Sequence, residues 1–170
     1  CVTRRQRQMC IRDRAQSLIH DHGDKIHLPV DLAANIEGNR VDIPLDDFPI
    51  EAPFWDIGIK SVFHLSAAIR RAGTIILNGP SGVFENPDFA LGTIEMLNAC
   101  AESDGYAVMG GGHTATLVAQ RGLANKMGHV STGGGACLDY IAGRPLPAVV
   151  SLEQSAVAFG IDITSAERKV

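Results

Sequence analysis

The sequence predicts an α/β fold, a doubly wound parallel sheet of Rossmann-like type, and three observations carry that prediction. Three short apolar runs each enter a glycine cluster, and each cluster opens a helix-like stretch. Helix and strand patterns alternate, with connections read as too short for antiparallel hairpins, so right-handed crossovers follow. Eighteen glycines with only 5% aromatic residues suit tight strand–helix turns better than a β-sandwich.

In chain order, Ala15–Asp24 reads as the end of a helix, with Gly23 near its C-terminus. Ile26–Val30 reads as a short strand and Val41–Ile43 as a brief extended piece. Pro29, Pro44, Pro49 and Pro53 interrupt this region, so Asn35–Trp55 is expected to be mostly connection with an edge strand. Asp56 is expected to N-cap a helix whose apolar positions Val62, Leu65, Ile69 and Ala72 recur at spacings of three and four. Gly73 ends it, and Thr74–Asn78 has the continuous apolar centre of a buried parallel strand. Asp88 is expected to cap the helix Phe89–Ala101, with Ile94 and Leu97 on its inner face. Tyr106–Met109 and His129–Ser131 read as strands, Thr114–Gln120 and Ala136–Ala142 as helices stopped by Gly122 and Gly143. Pro145 and Pro147 then start an exit segment.

Composition bounds the class. With 170 residues and 45% hydrophobic content, one domain with a real core is expected. No apolar run reaches the length of a membrane span, and the first residues lack the apolar region of a secretory signal, so a cytoplasmic protein is expected. Cys1, Cys10, Cys100 and Cys137 form no CxxC pair and read as free thiols. Five of fifteen basic residues but one of nineteen acidic ones lie in the first fourteen positions, leaving ten against eighteen beyond them. No basic stripe or aromatic platform follows, so neither nucleic acid nor membrane is an expected partner. The segment Gln8-Met9-Cys10-Ile11-Arg12-Asp13-Arg14 resembles translated sequencing-adapter read-through, and residues 1–14 are set aside as non-native.

The glycine junctions carry the chemistry. They are Asn78-Gly79-Pro80-Ser81-Gly82-Val83-Phe84-Glu85, Gly110-Gly111-Gly112-His113-Thr114, and Ser131-Thr132-Gly133-Gly134-Gly135-Ala136. A strand running through glycine into a helix sets bare N–H groups at the positive helix N-terminus, an anion cradle. One such junction would pass for an ordinary turn, whereas three point to a polyphosphate ligand. Neither GxGxxG nor GxxxxGK[ST] is present, and the lysines lie outside the loops. His20, His22 and His27 read as surface residues, because no carboxylate or cysteine completes a metal set.

The octet Asn78–Glu85 resembles the NGPxGVFE loop of the phosphoglycerate kinase family, and the chain is similar to the C-terminal half of its archaeal-type members. The resemblance spans roughly Ala15 to Ser155 and implies an incomplete C-terminal domain of a two-domain kinase. It implies that Asn78 and Pro80 sit beside the nucleotide, that Gly82 and Val83 flank the adenine, and that Glu85 accepts from the ribose. Gly110, Gly111, Gly112 and Thr114 match the family's phosphate-facing GGG-[DH]-T loop. There His113 stands where bacterial and eukaryotic members carry an aspartate that helps hold Mg²⁺. Imidazole is a poor ligand for that ion, so His113 is read as bonding a phosphate oxygen or Mg²⁺-bound water, with a purely structural role and, last, direct ligation as the alternatives. Gly133, Gly134 and Gly135 match the HVSTGGGA loop that faces the phosphoryl group in transit, and they are the expected catalytic groups. Leu28–Asp31 and Trp55–Gly58 resemble the family's LPxD and DxGP segments, with Ile59 in place of proline; Asp31 and Asp56 are read as structural caps.

The organisation implied is a non-native stretch 1–14, a partial nucleotide-binding domain 15–147, and a segment 148–170 returning towards a missing N-terminal domain. The apolar residues Val157, Phe159 and Ile161 of that last segment are expected to stand uncovered. The implied reaction is reversible phosphoryl transfer between 1,3-bisphosphoglycerate and ADP, giving ATP and 3-phosphoglycerate with Mg²⁺, in a phosphotransferase acting on a carboxyl phosphate. The fragment would carry the nucleotide side and be inactive alone, with no metal ligand of its own. The rival readings are a non-catalytic nucleotide-binding module, or another Rossmann-like enzyme acting on a nucleotide or sugar phosphate.

Overall fold

The computed structural model describes residues 4–161. They divide into two compact units. One comprises the chain up to Ala67 together with Ser81–Glu95; the other comprises Ala68–Pro80 and the chain from Met96.

The first unit opens with helix α1 (Arg4–His22), which passes into a 3-10 turn, Gly23–Lys25. The helix therefore reaches back beyond Ala15, through residues with good helix propensity, and its residues from 7 onward are exposed. Three strands follow: β1 (Asp31–Ile36), β2 (Asn39–Pro44) and β3 (Phe54–Ile57), in the antiparallel order β2-β1-β3. Here the structure corrects the sequence reading in two places. Residues 26–30 are not a strand, and the strand lies immediately after them. An apolar run becomes a strand only where a neighbouring backbone takes its N–H and C=O groups, and residues 26–30 join no ladder among the described residues. Residues 35–55 also hold more than connection. Ile36 and Asn39 pair across the two-residue turn Glu37-Gly38 (φ 52° and 87°), a hairpin geometry that requires positive φ at both positions. Helix α2 (Ile59–Arg71) begins in this unit and buries Ser61, Val62 and Ser66.

The capping assignments are also corrected. Asp56 lies within β3 and does not cap α2. The α2 N-terminus is capped from a distance by Asp31, whose carboxylate accepts from the N–H groups of Lys60 (2.9 Å) and Ser61 (2.8 Å) and from the Ser61 hydroxyl. Burial alone would raise the Asp31 carboxyl, but those hydrogen bonds and the Lys60 charge hold it below its ordinary value. Asp56 instead accepts from the N–H of Gly92 (2.8 Å), in the first turn of helix α3 (Leu91–Glu102). Asp88 caps nothing there; it sits in the 3-10 turn Pro87–Phe89, whose cap is Asn86. Local spacing identified two aspartates of the right kind, but which helix each serves depends on β1 and β3 bringing them to α2 and α3.

The second unit is built on β4 (Thr74–Asn78), β5 (Tyr106–Gly110) and β6 (His129–Ser131), parallel and in the order β4-β5-β6. Register runs Thr74 to Tyr106 through Asn78 to Gly110, then Val108 to His129 through Gly110 to Ser131. Helices α4 (Gly112–Gln120) and α5 (Gly134–Ile141) follow β5 and β6, each stopped by a positive-φ glycine, Gly122 or Gly143. Leu97, Ala99, Cys100, Ala107, Met109 and Val118 are almost fully buried and form the core of this unit. Ile76 is 44% exposed, so β4 is not covered on both faces as its apolar run suggested; it is an edge strand of this sheet. The exit segment folds into helix α6 (Pro147–Ala158), which Pro147 starts at a position where its missing N–H costs nothing. Val157, Phe159 and Ile161 are exposed, Phe159 by 81%. Among the described residues no helix is long and apolar enough to cross a membrane.

Candidate functional site

The C-terminal ends of β4, β5 and β6 bring three of the predicted loops together in the second unit. In-register pairing sets Asn78, Gly110 and Ser131 side by side at the strand ends. The loops are then tied by backbone bonds: the Gly79 N–H donates to Gly110 O at 3.4 Å, and the Gly111 N–H to Ser131 O at 3.0 Å. The Asn78 side chain lies among the glycines. A Cβ at Gly110 would stand 2.7 Å from Asn78 Oδ1, and one at Gly134 would stand 3.2 Å from it and 3.3 Å from Gly111 Cα. Gly111 has φ +98°, a conformation that strains other residues.

Both helices that leave this floor lack side-chain caps. Gly111 precedes α4 and Gly133 precedes α5, so neither N-cap residue has a side chain to offer its helix; the Gly133 N–H itself donates to Ser131 Oγ at 3.2 Å. First-turn N–H groups have no acceptor within their own helix, so an uncapped end carries concentrated positive potential. Nothing within 4 Å blocks the Cβ directions of Gly112 and Gly135. The glycines thus pack against the Asn78 side chain at Gly110 and Gly134 and leave open space at Gly112 and Gly135.

The side chains of this loop set differ in character. His113 is exposed, whereas Thr114 is 1% exposed and its hydroxyl has no hydrogen-bond partner among the described residues. Among the described residues no three His, Cys, Asp or Glu side chains cluster as a metal site. A cavity of about 510 Å³ in the same unit is lined by Tyr106, Val108, His129, Cys137, Tyr140 and neighbours, and it shares Ser131, Gly133 and Ala136 with the third predicted loop.

The remainder of the octet belongs to the first unit. Gly82 sits against β3, where a Cβ would meet the Trp55 carbonyl oxygen and come within 2.7 Å of Asp56 Oδ1. Its place in the sequence is thereby explained by close backbone packing, a reason that the glycine pattern alone did not reveal. Val83 donates its N–H to Trp55 O at 2.7 Å and leaves its side chain exposed; Glu85, two residues on, is exposed as well. An apolar side chain and a carboxylate are thus presented outward from one fastened loop. Sequence reasoning passed over Arg40 here. It pairs with Asp56 at 2.9 Å and Asp42 at 3.0 Å, and no motif marked it because the pairing with Asp56 arises only once β2 and β3 flank β1.

The family model for phosphoglycerate kinase matches residues 4–144. The chain belongs to the phosphoglycerate kinase family. Among similar proteins, the phosphoglycerate kinase of Methanothermus fervidus is 44% identical over 141 residues, covering 83% of this chain and 34% of that protein. The one from Methanococcus maripaludis is 44% identical over 142 residues, again 83% of this chain and 34% of the relative. The crystal structure of phosphoglycerate kinase from Pyrococcus horikoshii superposes with a TM-score of 0.76 at 33% identity, covering 88% of this chain and 38% of that one. The enzyme from Coxiella burnetii gives 0.71 at 33% identity, covering 81% and 37%. The chain therefore spans about a third of the length of its phosphoglycerate kinase relatives, and what it holds is a partial domain of that α/β fold.

Proposed function

We propose that this chain carries the nucleotide side of a phosphoglycerate kinase, which moves a phosphoryl group reversibly between 1,3-bisphosphoglycerate and ADP to give 3-phosphoglycerate and ATP. The observation that carries the reading is the pair of glycine-started helix N-termini, α4 and α5, leaving adjacent parallel strands over a floor where Gly110 and Gly134 crowd Asn78 and Gly111 takes positive φ. Phosphoryl transfer asks little covalent chemistry of a protein; it asks for donors already aimed at the oxygens that gather charge. Gly133, Gly134 and Gly135 meet the group in transit, with no side chain to reposition. Gly110, Gly111, Gly112 and the start of α4 hold the other phosphates, with Asn78 and Pro80 beside them. Gly82 and Val83 flank the adenine, and Glu85 accepts from the ribose hydroxyls.

Buried Thr114 serves this reading through its backbone N–H in the first turn of α4. His113 takes a phosphate oxygen or a metal-bound water. Mg²⁺ would come with the nucleotide phosphates and offset their charge; among the described residues no three His, Cys, Asp or Glu side chains cluster to hold it. The remaining two thirds of the relatives' length is assigned the carboxyl-phosphate substrate and the surface that receives Val157, Phe159 and Ile161. Turnover by the chain alone in a coupled assay is accordingly expected to be nil. A cytoplasmic location belongs to the same proposal.

The test is a titration of the labelled chain with ADP, followed by amide chemical shifts. The N–H groups of Gly111–Thr114, Gly134–Ala136, Val83 and Glu85 should move together along one isotherm. Shifts confined to the cavity around Tyr140 and Cys137, or none at all, would reject the reading.

A further inference from the structure

Both ends of the loop that presents Val83 and Glu85 are fastened to a single buried carboxylate. Asp56 has no exposed side-chain surface. Its Oδ1 accepts from the Ser81 hydroxyl at 3.0 Å, at the start of the loop, and from the Ile57 N–H at 2.9 Å. Its Oδ2 accepts from the Gly92 N–H at 2.8 Å, where the loop re-enters a helix, and from Arg40 Nη1 at 2.9 Å. Arg40 extends the same tie. Nη1 also donates to Asp88 O at 3.1 Å, inside the loop, and Nη2 to Ile57 O at 2.9 Å and Asp42 at 3.0 Å. Ser81 is held a second time through its own N–H, which donates to Thr93 Oγ1 at 3.1 Å.

A buried arginine–aspartate pair is an inefficient way to gain stability, because removing two charges from water offsets most of their attraction. What such a pair supplies is geometry: a planar five-donor fork and a two-oxygen acceptor admit few arrangements. We propose that Arg40, Asp56 and Ser81 are positioning residues that hold the Val83–Glu85 loop in the form that receives the nucleoside end of the ligand. This inference rests on the nucleotide reading above and deepens it. None of the three reaches the ligand; they act through the loop. The glycine loops at the ends of β5 and β6 use none of the three.

That separation makes the inference testable with two probes, adenosine for the nucleoside end and inorganic pyrophosphate for the phosphate end. Each is titrated into the 170-residue chain and read from the Val83 and Glu85 amides and from the Gly111 and Gly134 amides. Ser81→Ala removes one hydroxyl and little else. It breaks the hydroxyl's bonds to Asp56 and Thr93 Oγ1 and should weaken adenosine binding about three- to tenfold while leaving pyrophosphate within about twofold. Arg40→Lys keeps the charge but cannot span Asp56, Asp88 O and Ile57 O together, and the same selective loss is expected. Unchanged adenosine affinity in both variants would overturn the brace while leaving the nucleotide reading in place. Equal weakening of both probes would overturn it too, since that marks a general loss of structure. If the parent chain binds neither probe, the nucleotide reading fails first and the brace falls with it.

Discussion

Gly82→Ala is the substitution whose cost follows most directly from the structure. The added Cβ would be driven onto the Trp55 carbonyl oxygen, 2.7 Å from Asp56 Oδ1 and 2.8 Å from Asp56 Cα. Two of these three neighbours are backbone atoms of β3 and cannot swing aside, so the loop must move. Overpacking of this kind costs about 1–3 kcal/mol. The bond from the Val83 N–H to Trp55 O, 2.7 Å long, cannot survive that movement, and its loss adds about 1 kcal/mol. The expected loss is about 2–4 kcal/mol, a large share of the stability of an ordinary domain. Urea unfolding measures it, and the sole tryptophan, Trp55, packed edge-on against Phe89 at 5.1 Å, is a local reporter. With a slope of about 2 kcal/mol per molar, the midpoint should fall by about 1–2 M. An unchanged midpoint together with an unmoved Val83 amide would show that Gly82 is not wedged against β3.

Three further outcomes are expected. Glu85→Ala should weaken ADP by about 1.5–3 kcal/mol in a calorimetric titration, the range for a charged hydrogen-bond partner; an unchanged Kd removes Glu85 from the site. The Asp31 carboxyl is lowered from its ordinary 3.8, so its contribution is present above that value and lost as pH falls through the lowered one. Asp31→Asn should therefore be less stable at neutral pH and show a shallower decline than the parent below about pH 4; parallel acid limbs would contradict the cap. In timed alkylation near neutral pH with mass mapping, exposed Cys10 should react first and half-buried Cys137 next. Cys100, buried and with its thiol pushed up to about 11, should react only on unfolding; early labelling of Cys100 would mean that the second unit's core opens readily.

The sequence by itself determined the parallel strands and the glycine turns of the second unit. Thr74–Asn78 and His129–Ser131 are strands with the bounds that their apolar runs and glycines mark, and Gly122 and Gly143 stop helices with positive φ. Such features are legible because their causes are local: the pattern of a run, the missing Cβ of a turn residue, and the octet and triplets whose spacing identifies the family. Tertiary structure alone decided what depends on distant partners. Ile26–Val30 has the composition of a strand but no ladder to join, while residues 31–36 and 39–44 become one through a hairpin that Glu37-Gly38 closes. Asp31 and Asp56 were recognisable as caps, yet the helix that sequence order suggested for Asp56 is served by Asp31, and Asp56 serves α3. Gly82 reads as a ligand-loop glycine and is required by β3, and Arg40 has no local mark at all. A hydrogen bond or a steric wedge belongs to two positions at once. When these lie tens of residues apart, only the packed chain shows which two they are.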